Sequence, residues 1–402
     1  MTEAQGPIVL GFSGGLDTSF CVPWLKETYG RPVVTVTVNT GGLDEQAAAE
    51  LGERARALGA AEHHLLDARA EFFDEVLKYL IIGNVRRGHL YPLCVGAERG
   101  LQARYLAHLA RELGAGTVAH GCTAAGNDQV RFEVVLKTLA PELEILAPVR
   151  DHAWKRADQV AYLEARRLPV PSRGSAYSIN RGLWGVTIGG TETLDSRDSI
   201  PESAWVLSAG AFETPAPVTD VVVEFKQGVP VALDGEPLPP VALIERLEQL
   251  GGRFGIGRGI HLGDTIIGTK GRVAFEAPAA EILLTAHREL EMLTLSAAQA
   301  RVKDQLSQGY GDLVHEGRHL DPVCRDIEAL FASSQARVTG RVRCRLRPGN
   351  LFVVGAESPH SLLAATRGKY GESAGEWTSA DALGFSKIMA LPGMLYTRAG
   401  GQ

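Results

Sequence analysis

Residues 13–19 read Ser-Gly-Gly-Leu-Asp-Thr-Ser and lie between a short apolar run at 8–12 and a helix-forming run at 18–28. No other feature constrains the fold as much. A strand that turns through two glycines into a helix brings the helix N-terminus to the carboxyl edge of a sheet, with its unpaired N–H groups and the positive end of its dipole. Gly14 and Gly15 let the backbone turn sharply and approach an anion without a Cβ in the way. Ser13, Thr18 and Ser19 add hydroxyls. Asp17 adds a carboxylate that suits a phosphate site only with a cation such as Mg2+ beside it. The bland alternative is a Gly-rich turn with a helix cap. The string is neither GxxxxGK[ST] nor GxGxxG.

The first part of the chain keeps alternating. Residues 33–38, 64–66, 117–120 and 143–147 read as strands, and 45–57, 70–79, 100–113, 130–139 and 155–165 as helices. Pro23 falls inside the first helix and is expected to bend it. Strands separated by helices imply βαβ units, so the expected fold class is α/β, a doubly wound, mostly parallel sheet. The pattern changes near 168–172, Leu-Pro-Val-Pro-Ser. From there to 212 few elements are clear. Residues 218–225 and 229–232, joined through Gln227 and Gly228, read as a hairpin. Helices are expected at 241–250, 280–293 and 321–333, and strands at 260–268, 273–275, 338–346 and 351–354, which makes the second part α+β. A short helix is expected at 379–391, packed on another subunit or frayed. The expected division is 1–167, 168–375 and 376–402.

Charge and cysteine usage exclude several classes. The 402 residues carry a formal charge of −6 and show no basic stripe, so a nucleic-acid partner gets no electrostatic support. The five cysteines are widely spaced with no CxxC, which argues against a disulfide framework or zinc site and for a reducing compartment. No apolar run approaches a membrane span, and the start of the chain does not resemble a signal peptide, so a cytoplasmic location is expected. His315-Glu316-Gly317-Arg318-His319 matches HExxH, but Gly317 weakens any helix there and no third ligand is evident, so no metal site is expected. Cys122 reads as a small packing residue, and His120 as either a phosphate contact or a satisfied strand-end histidine.

Residues 120–132 read His-Gly-Cys-Thr-Ala-Ala-Gly-Asn-Asp-Gln-Val-Arg-Phe, again between a strand and a helix. Such loops gather at the carboxyl ends of the strands in a doubly wound sheet. A helix cap needs only one of Asn127 and Asp128. An amide, a carboxylate and the Arg131 guanidinium on one turn suit an amino-acid ligand, with Arg131 as a fork for its carboxylate.

The 13–19 string resembles the PP-loop of the ATP pyrophosphatases, which split ATP into AMP and pyrophosphate while adenylating a carbonyl oxygen. Together with 120–132 it resembles the argininosuccinate synthase family. Residues 176–180, 251–258, 270–272 and 338–340 extend the resemblance over nearly the whole chain. The resemblance implies a PP-loop nucleotide-binding domain, a synthetase domain, and a C-terminal helix that helps build a homotetramer. It also implies a two-step reaction. The ureido oxygen of citrulline attacks the ATP α-phosphate and releases pyrophosphate; the aspartate amine then attacks the activated carbon and releases AMP. By resemblance, Gly11, Phe12, Ser13, Gly14, Gly15, Leu16, Asp17, Thr18, Ser19, Val38 and Gly121 take ATP. Thr123, Asn127 and Asp128 are similar to aspartate-binding residues, and Tyr91, Asn127, Arg131, Ser178 and Thr187 to citrulline-binding ones. Asp17 and Asp128 are the candidates for a direct part in catalysis, in Mg2+ binding or in taking the aspartate amine proton; Asp128 is the candidate for the proton.

The sequence departs from the family pattern at one end of that pocket. A Ser becomes Gly96, another Ser becomes Thr187, a Glu becomes Gly263 and a Tyr becomes Phe275. A free ammonium group there loses its counter-charge, and an unpaired buried charge costs several kcal/mol. Either Asp264, Glu98 or Glu276 supplies a carboxylate from a shifted position, or the substrate is an N-acylated citrulline such as N-acetyl- or N-succinylcitrulline. Rival readings are a tRNA thiolase, a glutamine-dependent amidotransferase, or a nucleotide sensor without chemistry.

Overall fold

The computed structural model describes residues 6–171, 177–372 and 375–401. Its first sheet is built from β1 (Ile8–Gly11), β2 (Val33–Asn39), β3 (Glu62–Asp67), β4 (Thr117–Ala119) and β5 (Glu144–Leu146). The strand order is β3-β2-β1-β4-β5, and every pairing is parallel. Ile8 and Leu10 point into one apolar cluster with Phe20, Leu25 and Leu163. Val9 points into another with Leu106, Val118 and Leu136. Side chains alternate across a strand, so burying both sets needs helices on both faces, as expected for a parallel sheet. The chain leaves β1 toward β2 on one side and β4 on the other, so the crevice beyond the carboxyl ends of β1 and β4 is the topological switch point.

The later strands form two antiparallel sheets. They are β6 (Ser178–Gly182), β7 (Gly185–Gly189), β8 (Thr219–Lys226), β9 (Val229–Leu233), β10 (Glu236–Pro237), β11 (Arg258–Asp264), β12 (Lys270–Glu276), β13 (Gly340–Arg347) and β14 (Asn350–Glu357). One sheet runs β10-β9-β8-β13-β14. The other runs β11-β12-β7-β6 and faces the carboxyl edge of the first sheet through residues of β6, β7 and the β11–β12 hairpin. The largest apolar cluster joins residues 72–101 to the helices Pro240–Gly252, Pro278–Thr294 and Pro322–Ser334.

Four expectations need correction. The 172–212 stretch was read as having few elements, yet it holds the β6–β7 hairpin; β6 is Ser-Ile-Asn-Arg-Gly with four of its five residues exposed, so it lacks apolar alternation. The 19-residue helix Ala297–His315 was not expected, because Gly309, Gly311 and a run of polar residues hide its stripe. Its start carried a readable signal: Ser296 and Gln299 form a capping box. The helix expected at 70–79 is Arg69–Phe72 and Lys78–Ile82 with a π-helical turn at Phe73–Leu77 between them. The last helix runs Ser379–Ala399, straight through Pro392, and buries none of its residues. In the expected 168–172 boundary, Ser172 lies outside the described residues, as does Ala176 in the 176–180 string.

Candidate active site

The loop after β1 enters the helix Leu16–Tyr29 at Gly15, whose position has no side-chain cap. The first-turn N–H groups are therefore left for a ligand. Gly14 turns with φ +72°, and a Cβ there would overlap the Leu51 side chain. Arg54 donates to the Gly14 carbonyl at 2.8 Å and pins the turn from the next helix. Ser13 Oγ and Thr18 Oγ1 lie 3.2 Å apart, and Thr18 Oγ1 donates to the Gly15 carbonyl. Gly121, after β4, closes against this turn: a Cβ there would sit 2.9 Å from Thr18 Cγ2. The two loops predicted from sequence thus meet at the switch point, and a cavity of about 830 Å³ opens over both.

That cavity collects most of the expected residues. Gly11, Phe12, Ser13, Gly15, Asp17, Thr18, Val38, Gly121, Thr123, Asn127, Asp128, Arg131, Tyr91, Ser178 and Thr187 line it. Gly14, Leu16 and Ser19 do not; Leu16 and Ser19 are buried behind the loop, where Ser19 Oγ donates back to the Gly14 carbonyl. Asn127 Oδ1 accepts the Ile266 N–H at 2.9 Å and ties the aspartate-type loop to the β11–β12 hairpin.

Asp128 is held by two cations. Arg131 Nη1 donates to Oδ1 at 2.6 Å and Arg99 Nε donates to Oδ2 at 3.1 Å. Burial works to raise its pKa, but the two guanidinium charges outweigh it and hold the carboxyl down to about 2. Glu98 shows the opposite balance. Burial lifts it to about 7 against the pull of Arg99 and the hydrogen bond from Thr40 Oγ1 at 2.8 Å. Tyr91 donates its hydroxyl to the Cys94 carbonyl and stacks on His261, centroids 5.3 Å apart. Phe275 packs edge-on behind Tyr91 and does not line the cavity.

The segment between Tyr91 and Glu98 is strained. Val95 has φ +60° and ψ −45° while Gly96 N–H bonds back to the Cys94 carbonyl at 2.5 Å, a γ-turn of the rare positive-φ kind. A β-branched residue in that region costs of order 1–3 kcal/mol, and such strain collects at functional sites. The turn lays Gly96 against Arg131: a Cβ there would be 3.2 Å from Nη2.

Of the three carboxylates expected to compensate for Gly263, Glu98 and Asp264 line the cavity and Glu276 does not. Glu276 is buried and accepts the backbone N–H groups of Val206, Leu207 and Ser208. Beside Gly263 itself stand His261 and Arg87. Sequence reasoning missed Arg87, Arg99 and His261 as cavity residues, because each becomes significant only once distant segments meet. It also set His315 aside with the HExxH string. His315 lines the cavity and contacts Arg131, whereas the His319 ring packs where a Gly100 side chain would go. The two histidines do not converge, and among the described residues no group of three potential ligands forms a metal site. Cys122 lines the cavity as a thiol, its pKa pushed up to about 12 chiefly by burial. His120 is buried, with Nδ1 accepting the Cys122 N–H and Nε2 without a hydrogen-bond partner among the described residues.

The sequence model of the arginosuccinate synthase N-terminal HUP domain matches residues 7–169, and that of the C-terminal domain matches 177–396. The chain belongs to the argininosuccinate synthase family. Curated relatives carry that name across bacteria and archaea. One from Methanocaldococcus jannaschii is 39% identical over 96% of this chain and 97% of its own length. One from Xanthomonas axonopodis pv. citri is 40% identical over 99% and 96%, and one from Xanthomonas campestris pv. campestris 41% over 97% and 98%. Argininosuccinate synthases are ATP-dependent ligases acting on small molecules, and these relatives lend no support to the N-acylated alternative. Among the described residues no helix is long and apolar enough to cross a membrane.

Proposed function

We propose that this chain joins L-aspartate to the ureido carbon of L-citrulline at the expense of ATP, through a citrullyl-AMP intermediate. The observation that carries the reading is the single cavity shared by the 13–19 turn and the 120–132 loop. The ureido carbon is a poor electrophile because two nitrogens feed it electron density. Its oxygen attacks the ATP α-phosphorus, the bond to the β-phosphate breaks, and pyrophosphate leaves. The aspartate nitrogen then attacks the same carbon, the C–O bond breaks, and AMP leaves with the former ureido oxygen. Catalysis of this kind rests on alignment and on neutralising phosphate charge.

In this reading the N–H groups and hydroxyls of residues 13–19 cradle the phosphates. Gly11, Phe12, Val38 and Gly121 complete the nucleotide site. Asp17 lines the cavity beside the phosphate turn and would hold a Mg2+ that enters with ATP. Mg2+ would supply charge neutralisation there. Thr123, Asn127 and Asp128 receive aspartate, and Tyr91, Asn127, Arg131, Ser178 and Thr187 receive citrulline. The sequence makes Asp128 the candidate to take the aspartate amine proton. With a pKa of about 2 it is too weak a base for that task at neutral pH, and its ion pairs suit it instead to orienting Arg131 and Arg99.

The terminal helix supports a homotetramer. It exposes Leu383, Phe385, Ile388, Met389 and Leu395, and a helix with no packed face is marginal alone. The proposed division at 1–167, 168–375 and 376–402 makes it an arm onto another copy. Free thiols at the five cysteines fit a reducing, cytoplasmic setting. The chemistry is tested with citrulline carrying heavy oxygen in its ureido group: AMP gains the label if the proposal holds, and unlabelled AMP contradicts it.

A further inference from the structure

The Ala297–His315 helix ends at the cavity, which its last residue lines. Arg131 reaches that end twice, donating from Nε to the His315 carbonyl at 2.7 Å and from Nη2 to His315 Nδ1 at 3.1 Å. Both side chains are more than nine-tenths buried, Arg131 at 6% and His315 at 7% exposure. Gly317 holds the following turn this close, since a Cβ there would lie 2.8 Å from Arg131 Cα.

The contact fixes the state of the ring. A guanidinium has five N–H donors and no acceptor, so the nitrogen that faces it must be unprotonated. The ring proton therefore sits on Nε2. That atom is buried and has no hydrogen-bond partner among the described residues, in a side chain that lines the cavity. Burial and the adjacent Arg131 charge keep the imidazole neutral, with a pKa of about 3. An unpaired buried donor is costly, and in a side chain that lines a binding cavity a ligand can supply the partner. Arg131 spends three N–H groups on His315 and Asp128, which leaves two for a substrate carboxylate.

We propose that His315 is a positioning and specificity residue for the ureido substrate: its carbonyl and Nδ1 fix the Arg131 fork, and its Nε2–H donates to the carboxylate that Arg131 binds. The inference rests on the ligase reading given above.

The test is steady-state AMP release by wild type, His315→Phe, His315→Asn and His315→Gln, with citrulline, aspartate and ATP varied in turn. His315→Phe loses both functions of the ring, and the KM for citrulline rises about tenfold or more. The KM values for ATP and aspartate stay within about twofold, well under that tenfold step. His315→Asn keeps an acceptor near the Nδ1 position and His315→Gln keeps a donor near the Nε2 position, so each restores part of the loss. A citrulline KM within about twofold of wild type in His315→Phe overturns the inference, as does an equal rise in all three KM values. If His315→Phe does not fold, His315→Asn decides: a raised citrulline KM supports the role and an unchanged one overturns it. A wild-type protein that releases no AMP with citrulline and aspartate overturns the ligase reading and this inference with it. An active wild type with an indifferent His315 overturns this inference alone.

Discussion

Gly14 sits at φ +72°, in a turn that an L side chain rarely adopts, and a Cβ there would overlap Leu51. Gly14→Ala is therefore expected to cost about 1–3 kcal/mol in stability and to abolish ATP binding, checked by urea unfolding and nucleotide titration. At Asp128 the expected loss is of another kind. Asp128→Asn removes the charge between Arg99 and Arg131, so AMP formation falls about 100-fold, roughly 2.7 kcal/mol, while ATP binding changes little. His120 and His315 add an acid-side dependence. Burial, with Arg150 beside His120 and Arg131 beside His315, depresses them to about 4 and about 3. The folded chain thus keeps both neutral where the unfolded chain binds protons. Around His315 the other charged or titratable neighbours are Arg87, His261 and Asp128; around His120 they are Glu133, Asp151 and Asp128. They leave stability unaffected above about pH 6.5; it falls as pH drops below that value and levels off near 4 for His120 and near 3 for His315. A His120→Gln, His315→Gln double variant should flatten the fall in urea midpoint below pH 6; an unchanged slope would place the acid sensitivity elsewhere.

Elements with local signatures were legible and those built by distant partners were not. β2 and the helix Glu45–Ala57 declare themselves through β-branching and Ala-rich spacing, and the structure ends them within a residue of the expected bounds. β6 has no such signature, because its register against β7, which is itself paired with β12, holds it in a sheet rather than an apolar stripe of its own. The cavity followed the same rule. The 13–19 and 120–132 loops could be read because each carries its residues within one turn. Arg99, Arg87, His261 and His315 could not, because their meaning comes from facing Asp128, His261, Tyr91 and Arg131 respectively across the fold. The Ser379–Ala399 helix makes an element-scale prediction. Ending the chain at residue 376 should leave the remaining chain folded but reduce its assembly to a smaller species by light scattering; unchanged mass would show that the arm does not bridge copies.

At the scale of the whole molecule, a buried polar network locks the two parts together. Lys303 donates to the Ile82 carbonyl at 2.7 Å and lies 3.1 Å from Glu291, with Asn84, His287 and Gln335 around the same carboxylate or its partners. Lys303 is 1% exposed, so Lys303→Met leaves Glu291 charged and unpaired and should cost roughly 3–5 kcal/mol by urea denaturation. A loss under about 1 kcal/mol would mean the network, not the pair, carries the charge. That locking holds the β11–β12 hairpin and the end of the Ala297–His315 helix over the first sheet, where neither half alone forms the cavity. The central claim is that this shared cavity couples ATP cleavage to two amino acids. Its most direct test is pyrophosphate and AMP release from ATP and Mg2+, with citrulline and aspartate each omitted in turn. Continuous release of AMP and pyrophosphate in equal amounts only when both amino acids are present, with no more than a single turnover of pyrophosphate when aspartate alone is omitted, is the predicted result. Steady AMP release without aspartate, or none with the full set, would contradict it.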